Sequence, residues 1–313
     1  MQTSAIVMSA PRQVMLSRIA LSPPGDADVV VDIRWSGISA GTERLLWTGR
    51  MPDFPGMGYP LVPGYESVGH VVEAGPQSGR RAGELVFVPG AKCFGDVRGL
   101  FGGAASRVVL PGTRAMPIGD DLGDRGTLLA LAATAYHAIA APTASPPELI
   151  IGHGVLGRLL ARLTLALGHP APVVWEERAV RASGAIGYGV VRSEQDSRRD
   201  YRAIYDASGD AAMLDLLIPR LARGGEIVLA GFYPGAVSFA FPPAFMREAR
   251  LRCAAEWLPD DLLAVQRLIA AGDLALDGLI THRSPAERAQ DAYRTAFEDP
   301  DCLKMILEWS RPT

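Results

Sequence analysis

The residues best placed by type and spacing to do chemistry lie in Glu148–Gly157, where Gly152, Gly154 and Gly157 follow a short apolar run in a G-x-G-x-x-G pattern. The pattern predicts a strand, a tight turn and a helix carrying Leu159, Leu160, Leu163 and Leu167 on one face. Gly152 allows the turn, Gly154 lets the backbone approach a pyrophosphate, and Gly157 lets helix and strand pack closely. The phosphates would face free N–H groups at the helix start. His153, Val155 and Leu156 complete the turn, so their backbone belongs to the same expected site. About 20 residues past the turn, Ala171–Glu176 reads as a second strand ending in an acid. A carboxylate there accepts hydrogen bonds from the adenosine ribose and repels a 2′-phosphate, so Glu176 argues for NAD. Arg178 and Arg181 stand close enough to weaken that preference.

A chain of 313 residues can support two domains with separate cores, and its net charge of −3 gives no case for nucleic acid or an anionic membrane as partner. The longest apolar stretch, Leu128–Ala141, is interrupted by Thr134, Tyr136 and His137 and falls short of the ~20 residues of a membrane span. The N-terminus carries no signal-like segment, so a cytoplasmic location is expected. Cys93, Cys253 and Cys302 are far apart, which suggests neither a disulfide framework nor a structural zinc site. Lys92 and Lys304 are the only lysines, and codon bias is the first reading of that scarcity.

Up to Pro117 short apolar runs alternate with Pro and Gly, which predicts a β-rich domain with strands near 4–8, 28–35, 67–75, 84–88 and 105–109. After Pro117 helix and strand alternate. Helices are expected over 128–140 and 213–221, and strands over 148–151, 171–176, 201–206 and 225–232. Such alternation predicts a doubly wound parallel sheet. From Pro259 the chain reads as helical, over 262–271 and 287–297. The expected divisions are thus 1–117, 118–258 and a helical return over 259–313.

This arrangement resembles the medium-chain dehydrogenase/reductase superfamily, whose fold pairs a GroES-like β-rich catalytic domain with a Rossmann domain. Ser36-Gly37-Ile38-Ser39-Ala40-Gly41-Thr42-Glu43 is similar to its first catalytic loop, Pro63-Gly64-Tyr65-Glu66 to its Gly-His-Glu motif, and Asp206-Ala207-Ser208-Gly209 to the loop beside the nicotinamide, which makes Ser208 a cofactor candidate. Zinc-dependent members hold their metal with a Cys and a His at two of these positions. Here they are Ser39 or Ala40 and Tyr65, and Glu66 alone cannot hold zinc, so no metal is expected. The stretches Gly37–Gly49, Pro60–Glu66 and Leu100–Ala105 resemble one zinc-free branch of bacteriochlorophyll biosynthesis. That resemblance implies oxidation of the 1-hydroxyethyl group on ring A of a chlorophyllide-type tetrapyrrole to acetyl, with NAD as hydride acceptor. It also implies a homodimer joined through the sheet edge around Glu226–Ala240. A zinc-free quinone or enone reductase and a catalytically silent tetrapyrrole binder stay open as alternatives.

Without a metal, a positioned side chain must take the hydroxyl proton. By the resemblance Tyr65 stands nearest the substrate oxygen, Thr42 beside it, with Glu43 or Glu66 orienting them. A tyrosinate base needs a pKa lowered from about 10, and no neighbouring lysine is visible in the sequence. Ser39, Trp47, Phe54, Tyr59 and His137 are the candidates for contact with a flat macrocycle, with Met51 and Met57 in the same loop; for the aromatic residues a small core is an equal reading. A Gly-rich loop from Lys92 to Gly103 is a candidate cover for the site.

Overall fold

The computed structural model describes residues 1–310, which form two compact units: 1–130 with 279–310, and Leu131–Gly278. Relative to the expected divisions, residues 118–130 go with the first unit and 259–278 with the second. The turns over Asp120–Leu128 pack on the strands Asp28–Ile38 and Ser67–Ala74. The helix Pro259–Ala270 is joined through Asp261 to His137, and Arg162 donates to the carbonyls of Ala275 and Asp277. These contacts decide which unit each segment completes.

The first unit is built on Asp28–Ile38. One flank of this strand pairs antiparallel with Ser67–Ala74; the other pairs with Arg107–Pro111 along its first half and with Met305–Glu308 along its second. The C-terminal return is therefore not purely helical. It enters the sheet as His282–Pro285 and Met305–Glu308, with the helix Ala289–Glu298 between them. Short strands with charged or proline residues, as in His282-Arg283-Ser284-Pro285, lack the apolar run that signals a strand. A second sheet orders Gln13–Ala20, Gln2–Ala10, Leu61–Val62 and Arg98–Gly99. Ile6, Met8, Ile33, Ile38, Leu46, Trp47, Leu61 and Tyr293 fill the core of this unit.

Register places chemistry at one end of the first unit. Ser36 pairs with Ser67, and Ile38 pairs with Met305. The residues just beyond these pairs, Ser39–Glu43, Tyr65–Glu66 and Lys304, therefore meet where three strands end together.

The second unit carries a six-stranded parallel sheet in the order Gly189–Val191, Val173–Trp175, Leu149–Ile151, Tyr201–Asp206, Leu221–Leu229, Arg250–Cys253. Numbered along the chain, that is 3-2-1-4-5-6, the doubly wound dinucleotide-binding order. Leu149, Ile150 and Ile151 are all buried, because a parallel strand is covered on both faces. The outer strands Gly189–Val191 and Arg250–Cys253 have no counterpart in the sequence reading: one is three residues long and the other alternates arginine with smaller side chains. The edge of the sheet is thus Arg250–Cys253, not Glu226–Ala240, since Leu221–Leu229 is paired on both sides.

Candidate active site and nucleotide site

The strand order of the second unit reverses between Leu149–Ile151 and Tyr201–Asp206. At such a point the loops leaving the carboxyl ends of the strands separate and leave a crevice for a ligand. The glycine turn leaves one of these strands and Asp206–Gly209 the other. Gly152 has φ +91°, as the tight turn requires. A Cβ on Gly157 would stand 1.8 Å from the Gly152 carbonyl oxygen, so only glycine lets the helix Val155–Ala166 start this close to the strand. A Cβ on Gly154 would meet nothing within 4 Å. That open space lies at the helix start, where the first N–H groups have no partner within the helix, an arrangement suited to an anionic group.

Glu176 ends the strand Val173–Trp175, and its two carboxylate oxygens accept from the backbone N–H groups of His153 (3.1 Å) and Arg178 (2.9 Å). The His153 side chain is turned away from the phosphate position. Its Nδ1 lies 2.6 Å from the Arg181 carbonyl and its Nε2 2.8 Å from the Tyr188 hydroxyl. Burial lowers its pKa, so it stays neutral. Ser208 donates its N–H to Asp206 Oδ1 (2.8 Å) and its Oγ accepts from Asp210 N (3.1 Å), which fixes the loop. Asp206 is buried and accepts from the Tyr233 hydroxyl at 2.7 Å; burial raises its pKa. Val155 is buried and Leu156 half-buried at the helix start.

In the first unit Tyr65 OH lies 2.7 Å from Ser39 Oγ and 3.3 Å from Thr42 Oγ1. Tyr65 is half-buried, and the ring of Phe101 meets its ring edge-on, with centroids 5.4 Å apart. Burial first, and then the charge of Glu66, push the phenol well above its ordinary value, against the hydrogen bonds from Ser39 and Thr42. This is opposite to the lowering a tyrosinate base needs. Tyr65 is therefore a neutral hydroxyl that donates and accepts.

Glu43 lies beneath this group, fully buried in the first turn of the helix Thr42–Thr48. It accepts from Ser39 N (3.0 Å) and from the Tyr293 hydroxyl (2.6 Å), while Glu43 N donates back to the Ser39 carbonyl at 3.1 Å. Burial and the nearby Glu66 raise its pKa to about 7, against these hydrogen bonds and the charge of Lys304. Glu66 points the other way: its Oε2 accepts from the buried ammonium of Lys304, and its Oε1 has no partner. Burial raises its pKa, and Lys304 opposes the rise. Glu43 thus holds the Ser39 loop, whereas Glu66 does not reach the Tyr65 hydroxyl group of contacts. Lys304, Tyr293 and Phe101 are the members of this site that the sequence reading missed.

The other candidates divide. Trp47 is core, 5.3 Å from the Phe297 ring centroid and beneath the Arg12 guanidinium, not a wall for substrate. The Tyr59 hydroxyl is committed to the Leu46 carbonyl, and Met51 and Met57 pack on the same core. Phe54 is 38% exposed and free to meet a ligand. His137 binds Asp261 Oδ2 at 2.8 Å within the second unit, where the same carboxylate oxygen also accepts the Leu258 N–H before the helix Pro259–Ala270, so it is a structural residue. Arg44 and Arg50 are exposed. Cys93 is buried, and its thiol pKa is pushed up to about 11 by that burial.

At the positions compared above with zinc ligands stand Ser39 or Ala40 and Tyr65, which offer only hydroxyl or methyl groups. They do not fit zinc, which takes thiolate, imidazole or carboxylate.

A β-rich unit with this hydroxyl cluster and a doubly wound unit with a glycine turn and an acid at the end of its second strand define a medium-chain dehydrogenase/reductase. Residues 25–120 match the alcohol dehydrogenase GroES-like domain. Over 310 residues, 99% of each chain, the sequence is 59% identical to the 2-desacetyl-2-hydroxyethyl bacteriochlorophyllide A dehydrogenase of Rhodobacter capsulatus. Among solved structures, an alcohol dehydrogenase of E. coli CFT073 complexed with NADH superposes with a TM-score of 0.82 at 19% identity, covering 98% of this chain and 99% of that one. A dehydrogenase of Sinorhizobium meliloti 1021 bound to NADP gives 0.83 at 20%, with 98% and 99% covered. The chain belongs to the 2-desacetyl-2-hydroxyethyl bacteriochlorophyllide A dehydrogenase family.

Proposed function

We propose that the protein oxidises the ring-A hydroxyethyl group of a bacteriochlorophyllide to acetyl, with NAD as acceptor and without zinc. The hydroxyl cluster of Ser39, Thr42 and Tyr65 carries this reading, joined to 59% identity over almost the whole chain. Bound NAD supplies the hydride acceptor. The Tyr65 hydroxyl takes the carbinol proton while passing its own to Thr42 Oγ1, and the part-exposed Thr42 hydroxyl gives its proton up to water, so no tyrosinate need form and the released proton ends in solvent. Glu43 keeps Ser39 in register with Tyr65, its carboxylate accepting the Ser39 N–H and its own N–H donating to the Ser39 carbonyl. The carbinol carbon is attached to a conjugated macrocycle that spreads the positive charge developing as hydride leaves, which lowers what the protein must supply. Positioning provides much of the remainder. Glu176 supports NAD over NADP, since its carboxylate is already oriented by two N–H donors.

The edge strand Arg250–Cys253, with Phe241, Phe245 and Met246 more than 60% exposed beside it, supports a homodimer through that edge. Mass analysis of the pigment tests the function: loss of two hydrogens from the hydroxyethyl substrate with one NADH formed per molecule supports it, and an unaltered pigment contradicts it.

A further inference from the structure

The segment 176–188 follows the second strand of the doubly wound sheet and carries Glu176, yet its own secondary structure is only the four-residue helix Ala179–Ala182, none of whose residues is buried. So short a helix does not hold itself. Its backbone is held instead from the glycine turn. The carbonyl of Arg181 can only accept, so His153 Nδ1 carries the proton and donates to it at 2.6 Å, and Nε2 accepts from the Tyr188 hydroxyl at 2.8 Å. The His153 and Tyr188 rings stand edge to face, 5.6 Å apart. Arg158, on the first turn of the helix Val155–Ala166, adds donors to the carbonyls of His153 (3.0 Å), Arg181 (3.1 Å) and Ser183 (2.8 Å). Gly184 has φ +83°, and a Cβ there would stand 2.4 Å from an Arg158 guanidinium nitrogen, so the segment folds directly onto that side chain.

We infer that His153 is a positioning residue for cofactor selection: its buried imidazole ties the 181–188 segment to the glycine turn and so holds Glu176 where it reads the adenosine ribose. The one residue between Gly152 and Gly154 thereby links the two halves of the nucleotide site, with its main chain on the Glu176 carboxylate and its side chain on the segment that follows. The exposed Val180 and Ile186 give that segment the apolar surface an adenine ring requires. This inference rests on the NAD reading and deepens it.

The test compares wild type with His153→Ala and, because a buried imidazole is removed there, with Tyr188→Phe, which deletes only the hydroxyl that His153 accepts from. Binding of NADH and of ADP-ribose is measured by fluorescence and calorimetry, and turnover with NAD and NADP by steady-state kinetics. In His153→Ala both dissociation constants should rise about tenfold and the NAD to NADP preference should shrink, with KM for NAD rising by a larger factor than kcat falls. Tyr188→Phe should move the same quantities less. Folded variants with wild-type affinities and preference overturn the role of His153. A wild type that turns over faster with NADP than with NAD overturns the NAD reading and the inference together.

Discussion

Tyr65 and Ser39, 26 residues apart in the chain, share a hydroxyl–hydroxyl contact of 2.7 Å because Ser36 and Ser67 pair in adjacent strands and the chain runs on in both directions from that pair. A neutral relay needs the phenol and a hydroxyl beside it. Replacing Tyr65 with Phe should lower kcat about 100-fold, the lower end of what a positioned acid–base group contributes, while NADH affinity is unchanged. Ser39→Ala should lower kcat less, since Thr42 remains within 3.3 Å of the phenol. Steady-state kinetics decides this, and unchanged turnover in Tyr65→Phe removes the residue from the mechanism.

Glu43 gives stability a pH dependence with a defined sign. Its carboxyl is raised from an ordinary 4.5 to about 7 in the folded protein, so between those values the folded state binds more protons than the unfolded one. The stabilising contribution is full below about pH 4.5 and is lost as pH rises through about 7, a span of roughly 3 kcal/mol at 1.36 kcal/mol per unit. Glu43→Gln cannot titrate. Its melting temperature should therefore gain on wild type steadily from pH 5 to pH 8; parallel curves would show that Glu43 titrates normally.

Local pattern carried the second unit into view. Apolar runs alternating with helix periods marked four of its six strands, and the glycine spacing located the tight turn between the first strand and its helix. The missed strands are short or alternate charge along a sheet edge, where burial no longer writes itself into composition. The first unit's site was half legible: Ser39, Thr42, Glu43, Tyr65 and Glu66 sit in recognisable loops. Their partners Lys304 and Tyr293 lie 238 and 250 residues further along, and only strand register and helix packing bring them in. Lys304, one of the two lysines, is a buried counter-ion of Glu66, a role its sequence context does not signal.

That ion pair makes a double-mutant prediction. Lys304→Met leaves the Glu66 carboxylate buried without a partner and should cost about 3–5 kcal/mol by urea denaturation. Glu66→Gln combined with Lys304→Met should recover most of that loss. A single variant as stable as wild type would mean the pair is dispensable.

Trp47 and Phe54 should separate packing from substrate contact. Trp47→Ala empties core space against Phe297 and should cost about 3–5 kcal/mol, with KM for pigment little changed in whatever fraction stays folded. Phe54→Ala should raise KM for pigment several-fold and leave the melting temperature alone. The reverse pattern would return Trp47 to the substrate wall.

The central claim is tested most directly by the absorption spectrum of the purified, zinc-assayed protein turning over 2-desacetyl-2-hydroxyethyl bacteriochlorophyllide a with NAD or NADP. A shift of the long-wavelength pigment band with NAD, much slower with NADP and undiminished in protein free of zinc, is the expected result. No shift with either cofactor, in protein that binds NADH, would contradict the assignment.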